Sequence, residues 1–155
     1  MSEFAKTTSV SVASSLEEIR KIVKKYGATK LATIDAENHI GIGFEMNKRR
    51  VRFVMILPKP EEVLRQQSKF GKNHGKLQPS ETAYEQEVRT RWRALLLVIR
   101  AKLESVQSGI ETFDESFMAQ IVLPDGHTMA EWAAPQIERA YLNGQMPPLL
   151  GTGGN

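Results

Sequence analysis

The sequence predicts an α+β fold: an antiparallel β-meander, preceded by one strand and one helix and followed by a long helix and two shorter C-terminal helices. Three observations predict it. Residues 29–57 alternate apolar and polar with the period of two that strands show. Residues 84–106 set apolar side chains at steps of three and four, the helical spacing. Ser/Thr-x-x-Glu boxes and glycines punctuate the remainder as helix starts and stops.

Taken in order, Ser9–Ala13 alternates as a short strand does. Ser15-Leu-Glu-Glu18 matches a capping box, in which the hydroxyl accepts from the third helical N–H and the glutamate reaches back. Leu16, Ile19, Ile22, Val23 and Tyr26 then form one apolar helical face, with Arg20, Lys21, Lys24 and Lys25 largely off it and Gly27 as the stop. Strands are expected at Thr29–Asp35, His39–Met46 and Arg50–Leu57, with turns at 36–38 and 47–49. In the second, Ile40, Ile42, Phe44 and Met46 share a face, while Gly41 and Gly43 leave the opposite face almost without side chains. In the third, Val51, Phe53, Met55 and Leu57 share a face and Arg50 and Arg52 point the other way.

Pro58 ends the sheet. Residues 58–80 hold Pro58, Pro60, Pro79, Gly71 and Gly75 together with Arg65, Lys69, Lys72 and Lys76, and are expected to form a long loop with one helical turn near 61–67. The long helix is expected over Ser80–Ser108, roughly 40 Å in length. Its stripe is Tyr84, Val88, Trp92, Leu95, Ile99, Leu103 and Val106, supported by Glu85→Arg89 and Glu87→Arg91 pairs. Gly109 ends it, and Thr112-Phe-Asp-Glu115 opens a helix through about Ile121. After a turn at Pro124-Asp-Gly126, Thr128-Met-Ala-Glu131 opens the last helix, which Pro135 should kink or restart and Asn143-Gly144 should stop. Residues 1–150 are expected to make one domain and 151–155 a flexible tail.

Charge is segregated along the chain. Residues 1–47 are balanced, residues 48–102 carry a net charge of +9, and residues 103–155 carry −6. Such a chain presents fields of opposite sign on different surfaces, which either pair with each other or attract an acidic partner. The longest apolar run, Ala94–Ile99, falls far short of the ~20 residues that span a bilayer, and the first residues do not have the pattern of a signal peptide. With no cysteine, a reducing cytoplasm is the expected location.

No constellation for catalysis emerges. His39, His74 and His127 have no second ligand at metal spacing. Asp35, Glu45 and Lys48 superficially match a nuclease set, but the spacing is not that of Glu-x-Lys. Gly41-Ile-Gly43 lies inside a strand, so it is no dinucleotide loop, and Gly151-Thr-Gly-Gly-Asn155 has no Lys-Ser/Thr for a phosphate loop. No enzyme activity, metal or cofactor is expected. The basic middle segment does suggest a use. Arg50 and Arg52 border the glycine-smoothed face, and Lys48 and Arg49 crown its hairpin. Lys69, Lys72 and Lys76 surround Phe70, an aromatic able to stack on a base, and Arg89, Arg93 and Arg100 lie together off the apolar stripe of the long helix. Mobile cations, a groove and a π-face are what nonspecific nucleic-acid binding uses.

Several stretches resemble a family of uncharacterised phage and prophage proteins: Tyr26-Gly-Ala-Thr29, Gly43-Phe-Glu-Met46 with Arg49-Arg-Val-Arg-Phe53, Arg91-Trp-Arg-Ala-Leu95 with Lys102-Leu-Glu104, Leu123-Pro-Asp-Gly126, Glu131-Trp132, Pro135-Gln-Ile137 and Met146-Pro-Pro-Leu149. The resemblance covers about residues 26–150 and implies a phage or mobile-element setting. In outline the meander followed by a long helix is also similar to single-strand annealing proteins and Whirly-type single-strand binders, an analogy of fold alone. The expected function is nonenzymatic nucleic-acid binding, single-stranded DNA favoured, by a homo-oligomer acting in replication or recombination without a membrane. The candidate contacts are Lys48, Arg49, Arg50, Arg52, Lys69, Phe70, Lys72, Lys76, Arg89 and Arg93. The alternative is an adaptor or inhibitor that meets a host or replication protein through the acidic helices of 111–143.

Overall fold

The computed structural model describes residues 9–63, 65 and 80–145. It is an α+β arrangement. Helix α1 (Val12–Lys25) leads into strands β1 (Lys30–Ala36), β2 (His39–Met46) and β3 (Arg49–Ile56), which form a three-stranded antiparallel sheet in sequential order. Helix α2 (Ser80–Gln107) follows the sheet, then α3 (Phe113–Phe117), a 3-10 turn (Met118–Gln120) and α4 (Met129–Asn143). Of the segment after Pro58, residues 59–63 and 65 are described and include a helical turn at 60–63. Most of the expected loop, and the expected tail, lie outside the described residues.

The sheet is folded by its inner face. Ile40, Ile42, Phe44 and Met46 of β2 and Val51 and Phe53 of β3 are buried in one cluster with Ile19 and Val23 of α1 and Trp92, Leu95, Leu96, Ile99 and Leu103 of α2. Period two on the strands and period 3.6 on the helices thus meet in one apolar layer. At 28 residues, about 42 Å, α2 is longer than the sheet it covers. Its far end holds α3, where Phe117 is fully buried, edge-on to Phe44 and Phe53 and stacked on Phe113. Lys102 lies over the Phe117 ring and donates to the Ser116 carbonyl, closing that corner.

Three expectations are corrected. The N-terminal strand at Ser9–Ala13 does not form: α1 begins at Val12, and Ser11, not Ser15, is the N-cap, accepting from the Ser14 N–H at 3.1 Å. The earlier start adds a turn that brings Val12 against the core beside Leu16, while Ser15 becomes a fully buried interior residue. The helix opened by Thr112 is α-helical only to Phe117 and tightens to a 3-10 turn, because Ile121 is drawn out to bridge Val51 at the edge of β3. Pro135 does not restart α4, which runs unbroken through it from Met129 to Asn143, although it removes one backbone donor. The Gln136 side-chain amide donates to the Trp132 carbonyl at 3.0 Å in the same turn, and the helix runs on to a left-handed cap at Gly144.

Candidate functional site

The opposite face of the sheet is the notable surface. Two-residue turns at 37–38 and 47–48 fix its register, so the outward side chains fall into cross-strand rows. Lys30, Glu45 and Arg50 make one row; Ala32, Gly43 and Arg52 the next; Ile34, Gly41 and Val54 the third; Ala36, His39 and Ile56 the last. The centre of the face is floored by glycine backbone and short side chains, and the rim on β3 is cationic. An open trough of about 350 Å³ results, lined by Lys30, Ala32, Ile34, Gly43, Arg50, Arg52 and Val122 among others. Val54 and Ile56, 45% and 67% exposed, extend it as an uncovered apolar strip.

The wall beyond β3 comes from residues 121–122. Ile121 bridges Val51, and the Val122 N–H donates to the Arg50 carbonyl at 2.8 Å. Val122 also bridges Thr128, and the Pro124-Asp-Gly126 turn between them leads back to the start of α4. The Arg50 guanidinium donates to the Leu123 carbonyl at 3.4 Å, and Arg52 reaches Glu131 in the first turn of α4 at 2.9 Å. The Glu131 carboxylate also accepts from the Thr128 N–H at 2.7 Å. That backbone bond, helped by the Arg52 charge, holds its pKa below the ordinary 4.5.

The hairpin tip is strained in the cationic direction. Asn47 and Lys48 both have left-handed backbone, φ 51° and 60°, as a two-residue hairpin turn demands. Asn tolerates this conformation, whereas Lys is a costly choice where Gly is usual. Lys48 is exposed there and forms no ion pair among the described residues.

The structure brings together some of the expected contacts and separates others. Lys48, Arg50 and Arg52 border one surface. Arg49 falls on the inward parity of β3 and pairs with Asp114 of α3 at 3.1 Å. Arg93 pairs with Glu18 of α1 at 3.0 Å, and Arg100 reaches the same carboxylate at 3.5 Å. Arg89 donates to Gln86, not to Glu85, while Glu87–Arg91 forms as expected. Arg89 and Arg93 therefore belong to the helical layer behind the sheet and do not converge with the hairpin. Lys69, Phe70, Lys72 and Lys76 lie outside the described residues.

Two contributors were missed. Lys30 stands opposite Glu45, 3.0 Å from its carboxylate, and Val122 supplies the wall. The two-residue turn at 37–38 carries the signal for Lys30, since it fixes which residues of β1 and β2 face each other. Among the described residues the outer strand face carries no phenyl, phenol or indole ring, and His39 has its one ring. Among the described residues no group of His, Asp and Glu is arranged to hold a metal ion, and no helix is long and apolar enough to cross a membrane. Comparison with protein-family models, with curated proteins and with solved structures gives no match for this chain.

Proposed function

We propose that this chain is a nonenzymatic nucleic-acid-binding protein that lays a single strand along the outer face of its sheet, in a phage or mobile-element replication or recombination setting and as a homo-oligomer. One observation carries the reading: a glycine-floored trough with Lys30, Arg50 and Arg52 on its rim and Lys48 at the adjoining hairpin tip. The floor admits a backbone or a base close to the sheet, and the rim supplies phosphate contacts. Arginine planes serve as the stacking surface in place of aromatic rings. That Arg52 already holds Glu131 does not oppose this. Exposed ion pairs contribute only about 0–1 kcal/mol, and a polyanion that releases condensed counterions displaces them.

The test is binding of a fluorescent single-stranded oligonucleotide across a salt series. Log K should fall with log salt, and Arg50→Ala/Arg52→Ala should flatten the slope by roughly 1.4, about 0.7 for each lost contact. Arg93→Ala, on the helical layer, should leave the slope unchanged. Absence of binding at ~50 mM salt rejects the reading.

A second reading, an adaptor that engages a protein through the acidic C-terminal helices, is favoured by α4 itself. None of its residues is buried, and Tyr141 and Leu142 are 87% and 77% exposed beside Trp132 and Ile137. Such a surface suits a protein partner. Capture of a partner that survives Arg50→Ala/Arg52→Ala and is lost with Tyr141→Ala/Leu142→Ala selects it.

A further inference from the structure

Glu115 and Glu131 are twins by position. Each is the third residue of its helix, each closes a Thr-x-x-Glu capping box, and each accepts its threonine's N–H at 2.7 Å. They differ in the second donor that each carboxylate accepts from. Glu115 spends its carboxylate on Thr112, whose hydroxyl also donates to it at 2.9 Å. Glu131 offers the oxygen that accepts from Thr128 to Arg52 as well. The carboxylate, a singly charged acceptor like a phosphodiester, thus occupies the place on the arginine that a phosphate oxygen would take.

We propose that Glu131 is a built-in competitor for the nucleic-acid strand, so that phosphate at Arg52 and the docked first turn of α4 exclude each other. The proposal rests on the nucleic-acid reading of the outer face. Its mechanical side follows from how lightly α4 is held. The helix has no buried residue. Its N-terminus is fixed by the Met129 N–H on the Ile121 carbonyl, the Val122–Thr128 bridge and the Arg52–Glu131 pair, the one ion pair between α4 and the sheet among the described residues. The Arg52 Nε is buried without an acceptor, so the guanidinium is not saturated by Glu131. A strand that takes the guanidinium removes one of these ties and loosens the start of the helix that carries the exposed Trp132, Ile137, Tyr141 and Leu142. Binding on the sheet is in this way coupled to the C-terminal surface.

The twin supplies the control. Glu131→Gln and Glu115→Gln each remove one negative charge and each keep a side chain able to close the box, but only the first frees an arginine. A fluorescent oligothymidylate should bind Glu131→Gln about two- to five-fold more tightly than wild type at low salt, and the gain should shrink as salt rises. Glu115→Gln should bind like wild type. Hydrogen exchange of the α4 backbone should accelerate when the oligonucleotide is added to wild type, and should not respond to it in Arg52→Ala. Equal affinities of Glu131→Gln and Glu115→Gln, or binding that leaves α4 exchange unchanged, overturns the competition while the nucleic-acid reading stands. No binding by any of the proteins overturns both.

Discussion

Gly41 on β2 lies so close to the backbone carbonyl of Phe53 on β3 that no side chain fits between them: a Cβ on Gly41 would overlap the carbonyl oxygen. Gly43, two residues along the same face, would place its Cβ 3.5 Å from the Val51 carbonyl, an ordinary contact. The two glycines of the outer sheet face therefore have different reasons to be there, and only Gly43 lines the trough.

The difference gives opposite outcomes for the same substitution. Gly41→Ala forces the β2–β3 ladder apart and should cost about 1–3 kcal/mol, the range for overpacked sites. Gly43→Ala should stay within about 0.5 kcal/mol of wild type, because the alanine methyl touches the Val51 carbonyl only at ordinary van der Waals distance and alanine gains on strand entropy. It adds a methyl group to the floor between Ala32 and Arg52. Denaturant unfolding of both variants checks this; equal costs would refute the distinction.

The period-two pattern located β2 to the residue and β3 to within one, since both strands set their buried apolar side chains on one face, Ile40, Ile42, Phe44 and Met46 in β2 and Val51 and Phe53 in β3. The N-terminus was misread for a physical reason. Ser11 and Ser15 are one helical turn apart, so either start puts the same face of α1 on the core, and five alternating residues at 9–13 fit a strand as well as a helix. The site was half legible. Parity placed Arg50 and Arg52 beside Gly43, but nothing local marks which layer takes Arg93. Its partner Glu18 is 75 positions away, and such long-range pairings leave no periodic trace.

Ser15 turns that misreading into a sign test. As an N-cap its replacement by alanine would cost about 1 kcal/mol. In the structure its hydroxyl is buried inside α1 with no hydrogen-bond partner among the described residues. Ser15→Ala then removes an unsatisfied polar group and installs the best helix former, and should stabilise the protein by about 1 kcal/mol. Ser11→Ala should carry the loss instead. Melting of the two variants against wild type decides between the assignments.

Lys48 couples stability to the proposed binding. Its backbone has φ 60°, a conformation glycine adopts without cost. Lys48→Gly should raise stability by a few tenths to about 1 kcal/mol while weakening oligonucleotide binding by one phosphate contact. A variant more stable and equally able to bind would remove Lys48 from the site, and a less stable one would contradict the strain.

The capping boxes predict a specific response to acid. Backbone N–H donation from Thr112 and Thr128 lowers the pKa of Glu115 and Glu131 below 4.5, and the hydroxyl of Thr112 and the charge of Arg52 lower them further. A carboxylate whose folded pKa is depressed contributes stability that is fully present above its unfolded value and is lost as pH falls through the folded value. The helix starts of α3 and α4 should therefore hold down to pH 4.5 and weaken progressively below it. Glutamine at both positions keeps the hydrogen-bonding pattern of the box but cannot titrate. The double variant Glu115→Gln/Glu131→Gln should have the lower stability at neutral pH and a shallower decline below pH 4.5, so that the two stability curves converge in acid. Chemical denaturation at stepped pH measures both curves. Parallel curves would mean that neither carboxylate is held by its threonine in solution, and with Glu131 released at every pH the Arg52 guanidinium would stand open to a strand without competition.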